Sequence, residues 1–140
     1  MKGRTIGYWA TTGLLSFMML GAGVSKLTAV EDIAANMQRI GFPDYMMTIL
    51  GAWYLAAAVA LLIPGMPRIK EWAYAGITFA MTGAFASHMF MNDPVAGSAP
   101  IVVILGLTAA SYVLRPGSRR LDAVSEAAAP SAAPQPAAAK

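Results

Sequence analysis

The sequence predicts an all-α membrane protein: a four-transmembrane-helix bundle, with a short amphipathic helix between helices 1 and 2 and a disordered C-terminal tail. Two observations carry this prediction. Apolar residues make up 57% of the 140-residue chain and charged residues 12%, about half the charged share of an ordinary soluble domain. The few charges are also clumped, leaving four successive runs without Asp, Glu, Lys or Arg. A small soluble protein exposes too much surface to leave it so uncharged. Lipid is the solvent this pattern fits.

The runs cover residues 5–25, 45–67, 72–92 and 94–114. Each is about 20 residues, the length a helix needs to cross roughly 30 Å of hydrocarbon. Helices rather than strands follow, because barrel strands alternate polar and apolar residues. The spans are placed at about 6–25, 45–63, 71–91 and 97–114, inside one membrane domain over 1–121. The first run has a rival reading as a cleavable signal, with Lys2 and Arg4 before it and Gly21-Ala22-Gly23 near its end. A signal's apolar core is usually about 7–15 residues, and this run is longer and continues to Lys26.

Orientation follows the basic residues. Lys2, Arg4, Arg68, Lys70, Arg115, Arg119 and Arg120 fall on one side, against Lys26 and Arg39 on the other. Seven against two puts both termini in the cytoplasm. Tyr8, Trp9, Trp72, Tyr74 and Tyr112 fall near the same boundary, as an interfacial belt does.

Between the first two spans, Val30, Ile33, Ala34, Met37 and Ile40 repeat at helical spacing, predicting an amphipathic helix over about 29–40. Thr28-Ala29-Val30-Glu31 reads as its capping box, and Gly41 and Pro43 end it. Such a helix lies flat in the interface or covers the bundle as a lid. Residues 122–140 are rich in Ala, Pro and Ser and cannot bury enough surface to fold. Within the bundle, Ala52, Ala56 and Ala60, then Gly76, Ala80 and Ala84, and also Gly13, Phe17 and Gly21, are candidate packing stripes. The ten methionines read as adaptable filler or as the lining for a flexible ligand.

Three polar positions stand out as a candidate ligand site: Lys26, Tyr54 and His88. Lys26 reads either as a snorkelling anchor or as part of a site. His88, within a turn of its span's end, suits a structural hydrogen bond or proton transfer. Tyr54 lies near mid-membrane, where its hydroxyl is expected to bond across to another helix. With the topology above, Lys26 and His88 share a depth, near Glu31, Asp32, Asn92 and Asp93 in the adjoining loops. The absence of cysteine removes Cys-ligated zinc and iron–sulfur clusters, and one histidine removes bis-His haem ligation within a protomer. No metal site is expected. The basic residues flank spans instead of forming a nucleic-acid surface.

Gly21-x-Gly23-x-x-Lys26-Leu27 closes the first span, and Ile40-Gly41-Phe42-Pro43 precedes the second. Leu61-Leu62-Ile63-Pro64, Gly83-Ala84 with His88, Pro100, and Arg115-Pro116 follow in order. In that order and spacing the chain resembles the DoxX-like family of small bacterial membrane proteins over about residues 6–116. The resemblance implies a four-helix bundle in the bacterial inner membrane. It also implies membrane or membrane-associated redox partners, since the family is named from a subunit of an archaeal thiosulfate:quinone oxidoreductase. Many similar members carry a mid-span glutamate where this chain has Tyr54. A mechanism that uses that carboxylate for proton movement, or pairs it with Lys26, is therefore not expected here.

Three functions follow. The leading one is a non-catalytic membrane subunit or scaffold, within a redox-linked complex or outside one. The alternative is a quinone-binding oxidoreductase subunit, with quinone as its cofactor and Lys26, Tyr54 and His88 around the headgroup. The third is a small-molecule transporter, although small multidrug exporters rely on a glutamate in the first helix and none lies in 5–25.

Overall fold

The computed structural model describes residues 2–121, apart from the side chains of residues 95 and 96. The tail at 122–140 lies outside the described residues. Five α-helices follow one another: α1 (Lys2–Leu27), α2 (Glu31–Arg39), α3 (Tyr45–Leu62), α4 (Pro67–Phe90) and α5 (Ala99–Leu114). Short 3₁₀ turns occupy Val95–Ser98 and Gly117–Arg119, and the described residues contain no strand.

The four longer helices close a ring in the order α1–α3–α4–α5, each packed on two neighbours. They run up and down. Arg4 near the start of α1 donates to the Val113 carbonyl near the end of α5 at 3.0 Å. Gly23, late in α1, meets Gly51, early in α3. Two ends can therefore be distinguished: a basic end, with the N-terminus and the α3–α4 loop, and an α2 end. Leu15, Met19, Tyr54, Ala58, Leu61, Tyr74, Ile77 and Ile104 share the core.

Burial runs against the habit of a soluble protein. Thr12, Ser16, Thr108 and Ser111 are buried, whereas Phe17, Trp53, Trp72, Phe79 and Phe90 stand on the outside. Hydroxyls turned inward and aromatics turned outward suit a hydrocarbon surround. Among the described residues α3 alone is long and apolar enough by itself to cross a membrane, at a mean hydropathy of 1.8. α1 passes only jointly with α2, as a pair bent by 83°, and α5 is apolar but shorter. The threonines and serines of α1 and the charged start of α4 lower the hydropathy of those helices.

Backbone chemistry sets the joints. The N-cap of α2 is Val30 and has no side-chain cap, which corrects the expected capping box. Thr28 instead donates back to the Val24 carbonyl at 2.9 Å, closing the end of α1. It stands two residues before the cap, and the carbonyl four residues back is the nearer partner. The end of α2 follows expectation. Gly41 sits at φ +85°, with Phe42 N bonded to Met37 O at 3.0 Å and Gly41 N to Gln38 O at 2.9 Å. This is a Schellman closure, which needs a residue that tolerates the left-handed region.

The packing stripes require a second correction. The tightest helix crossing is α1 on α3, where a Cβ on Gly51 would lie 2.8 Å from Leu27 Cγ and 3.0 Å from the Gly23 carbonyl oxygen. Gly13, Gly21 and Gly76 meet nothing within 4 Å of an added Cβ, and Phe17 faces outward. Ala56, Ala60, Gly76 and Ala80 do not interlock; they line an open groove between α3 and α4. Small residues allow close approach but do not enforce it.

Candidate functional site

The structure separates the three candidate residues. Lys26 Nζ lies 5.5 Å from the centre of the Tyr54 ring, so those two come together. His88 belongs to another cluster: its Nδ1 lies 2.7 Å from Asp93 Oδ2. No hydrogen bond or ion pair between described residues joins the two groups.

The His88 cluster is a clamp. Arg39, at the last position of α2, takes both Asp93 oxygens through Nη1 at 2.5 Å and Nη2 at 2.7 Å. Nη2 also donates to Asn36 Oδ1 at 2.7 Å. The forked guanidinium matches the carboxylate, a geometry that lysine lacks. Arg39 and then His88, both hydrogen-bonded to Asp93, hold its carboxyl down at about 2. The bond to Asp93 in turn raises the pKa of Arg39. With Asp93 ionised, Nδ1 of His88 is the donor, which leaves Nε2 to its surroundings. Glu31 and Asp32 are exposed at the start of α2 and join no ion pair among the described residues.

Lys26 and Tyr54 form a barer pair. Tyr54 is 7% exposed, and its hydroxyl has no hydrogen-bond partner among the described residues, which corrects the expected cross-helix bond. Its ring lines the α3–α4 groove, of about 370 Å³, with Trp53, Ala57, Ala73, Gly76 and Ile77 among the other walls.

Sequence reasoning missed the polar structure at the basic end. Lys70 is fully buried, and its ammonium donates to the carbonyls of Ala60 (2.7 Å), Leu61 (3.5 Å) and Ile63, capping the end of α3. Arg115, 4% exposed, pairs with Glu71 at 2.7 Å and lies 4.0 Å from the Tyr112 ring centre. Arg119 bonds the Tyr8 hydroxyl at 3.2 Å and lies 4.5 Å from the Trp9 ring centre. Further in, Ser111 Oγ lies 2.6 Å from Thr12 Oγ1 and 2.7 Å from the Tyr74 hydroxyl, joining α5 to α1 and α4. Tyr8 and Tyr74 are thus internal, while Trp9, Trp72 and Tyr112 remain at the surface. The i, i+4 spacing of Tyr8, Thr12 and Ser16 was the available signal for this polar face.

Together, inward hydroxyls, an apolar exterior and cross-helix polar ties define a membrane-type helical bundle. Residues 10–111 match the DoxX-like family, and the chain belongs to that family of membrane proteins. No curated protein and no solved structure matches it.

Proposed function

We propose that the chain is a four-span subunit of the bacterial inner membrane, with both termini cytoplasmic, that acts as a non-catalytic scaffold for membrane or membrane-associated redox proteins. The observation that carries this reading is where the polar side chains are spent. Thr12, Ser111, Tyr74, Lys70, Arg115, Glu71 and Arg119 tie the helices at one end, and Arg39, Asp93 and His88 tie α2 at the other. The polar groups hold the bundle, and the apolar exterior is left to meet lipid and partners.

Four spans are supported by length. α1 and α4 have 26 and 24 residues, roughly 39 and 36 Å at about 1.5 Å per residue. α5 is extended by the turn at Val95–Ser98. The lower hydropathy of α1 comes partly from Thr12 and Ser16, whose side chains are buried in the ring, where lipid does not meet them. Reporters fused at Asn36 and Asn92 should be periplasmic, and one at the C-terminus cytoplasmic; a cytoplasmic Asn36 or Asn92 would refute the topology.

The scaffold role is tested by purification in mild detergent, which should recover the same partner proteins repeatedly. A chain that always emerges alone refutes it. His88→Ala and Tyr54→Phe should leave quinone turnover of a reconstituted complex unchanged, and overproduction should leave small-molecule efflux unchanged.

A further inference from the structure

Side chains on a helix lean toward its N-terminus. Lys26 lies in the last turn of α1, so its side chain leans into the bundle, away from the nearer headgroups. Tyr54, on the antiparallel α3, leans the opposite way and meets it. This is the reverse of snorkelling, in which the stem stays among apolar groups and the ammonium reaches water. No carboxylate among the described residues pairs with Lys26. The face of an aromatic ring replaces only part of the hydration that an ammonium gives up. Beside it, the Tyr54 hydroxyl has no hydrogen-bond partner among the described residues. Tyr54 thus joins the two features: Lys26 stands over its ring, and the same tyrosine forms part of the wall of the apolar groove between α3 and α4.

We propose that Lys26 and Tyr54 form the head end of a site for a single-chain carboxylate amphiphile, its hydrocarbon tail lying in the groove between α3 and α4. A carboxylate supplies the full counter-charge and two acceptor oxygens, one for Lys26 Nζ and one for the Tyr54 hydroxyl. The groove, at about 370 Å³, falls in the range of small-molecule sites, roughly 300–1,000 Å³. Phospholipid phosphates sit in the headgroup layer, whereas Tyr54 is the tenth residue of an 18-residue apolar helix. A single tail with its charged group at that depth fits both the cation and the groove. The site is independent of the scaffold role, since a scaffold with no ligand and a ligand site with no partner are both physically coherent.

The test uses the full chain in phosphatidylcholine nanodiscs with cis-parinaric acid as the probe, read by energy transfer from Trp53 and Trp72. Oleate should displace the probe, and methyl oleate, which lacks the charge, should do so at least about tenfold more weakly, or about 1.4 kcal/mol. Lys26→Met should weaken oleate by about tenfold, and Tyr54→Phe by several-fold. Ala80→Leu, which fills the groove, should abolish saturable binding. If Lys26→Met fails to fold, Ala80→Leu and the acid–ester comparison on the unaltered chain still decide. The proposal is overturned if ester and acid compete equally, if binding survives Ala80→Leu, or if folded Lys26→Met binds as tightly as before. Displacement by phosphatidylglycerol or a short-tailed ubiquinone as effective as that by oleate overturns it as well.

Discussion

Adding one methyl group at Gly51 tests the bundle where its backbones are closest. The new Cβ would stand 2.8 Å from Leu27 Cγ and 3.0 Å from the Gly23 carbonyl oxygen, so α1 and α3 must part or Leu27 must move. Overpacking of this kind costs about 1–3 kcal/mol. Alanine also gains about 0.5–1 kcal/mol over glycine inside a helix, which offsets part of that cost. Gly13→Ala provides the control. It makes the same backbone change on α1 but meets nothing within 4 Å, so only the gain remains. The propensity terms cancel between the two variants, and Gly51→Ala should be less stable than Gly13→Ala by about 1–3 kcal/mol. Unfolding of the purified chain by titrating SDS into mild detergent micelles, followed by circular dichroism, measures the difference. Equal midpoints would show that the Gly23–Gly51 crossing does not hold the helices together.

Other substitutions probe the two polar ends. Lys70→Met leaves the carbonyls that close α3 unsatisfied and should cost about 1–3 kcal/mol in the same unfolding assay. Glu71→Gln strips the counter-charge from the buried Arg115, and Arg115→Met strips its partner; the double variant should lose less than the sum of the two single losses. Strict additivity would mean that the pair does not interact. The α2 clamp should depend on acid in one direction only. The carboxyl of Asp93 titrates at about 2 when clamped, below its ordinary 3.8. Its contribution is therefore complete above about pH 4 and is lost as pH falls through about 2. Protection of the α2 amides from hydrogen exchange, taken relative to the intrinsic exchange rate at each pH, should fall in that window, and Asp93→Asn should give fast exchange already at pH 7. Slow exchange in Asp93→Asn would show that the clamp does not hold α2.

The helices were legible because lipid solvent and chain length constrain them strongly. The expected 45–63 became Tyr45–Leu62, and 71–91 became Pro67–Phe90, the helix starting earlier because proline suits its first turn. The inward stripe of α2 was legible from Ile33, Ala34, Met37 and Ile40, with only Val30 left exposed. The sites were less legible because side-chain direction decides them. Lys26 and His88 share a depth by counting residues, yet one leans toward Tyr54 and the other turns to Asp93. The grip of Arg39 on Asp93 spans 54 positions, and nothing in either local segment announces it. The small-residue stripes misled for a related reason: spacing shows which face is narrow, but the neighbouring helix decides whether that face is filled.

The folded position of Lys70 bears on how the chain is made. A nascent segment is oriented by the charges it displays before its helices have packed, and in the proposed topology this lysine, still hydrated at that stage, counts toward retention on the cytoplasmic side. Once the hairpin of α3 and α4 closes, the same ammonium is withdrawn from water and bolts the turn shut. In that topology the cue that sets direction during synthesis becomes a latch in the finished product, and reversing the hairpin afterwards would require pulling that latch open first.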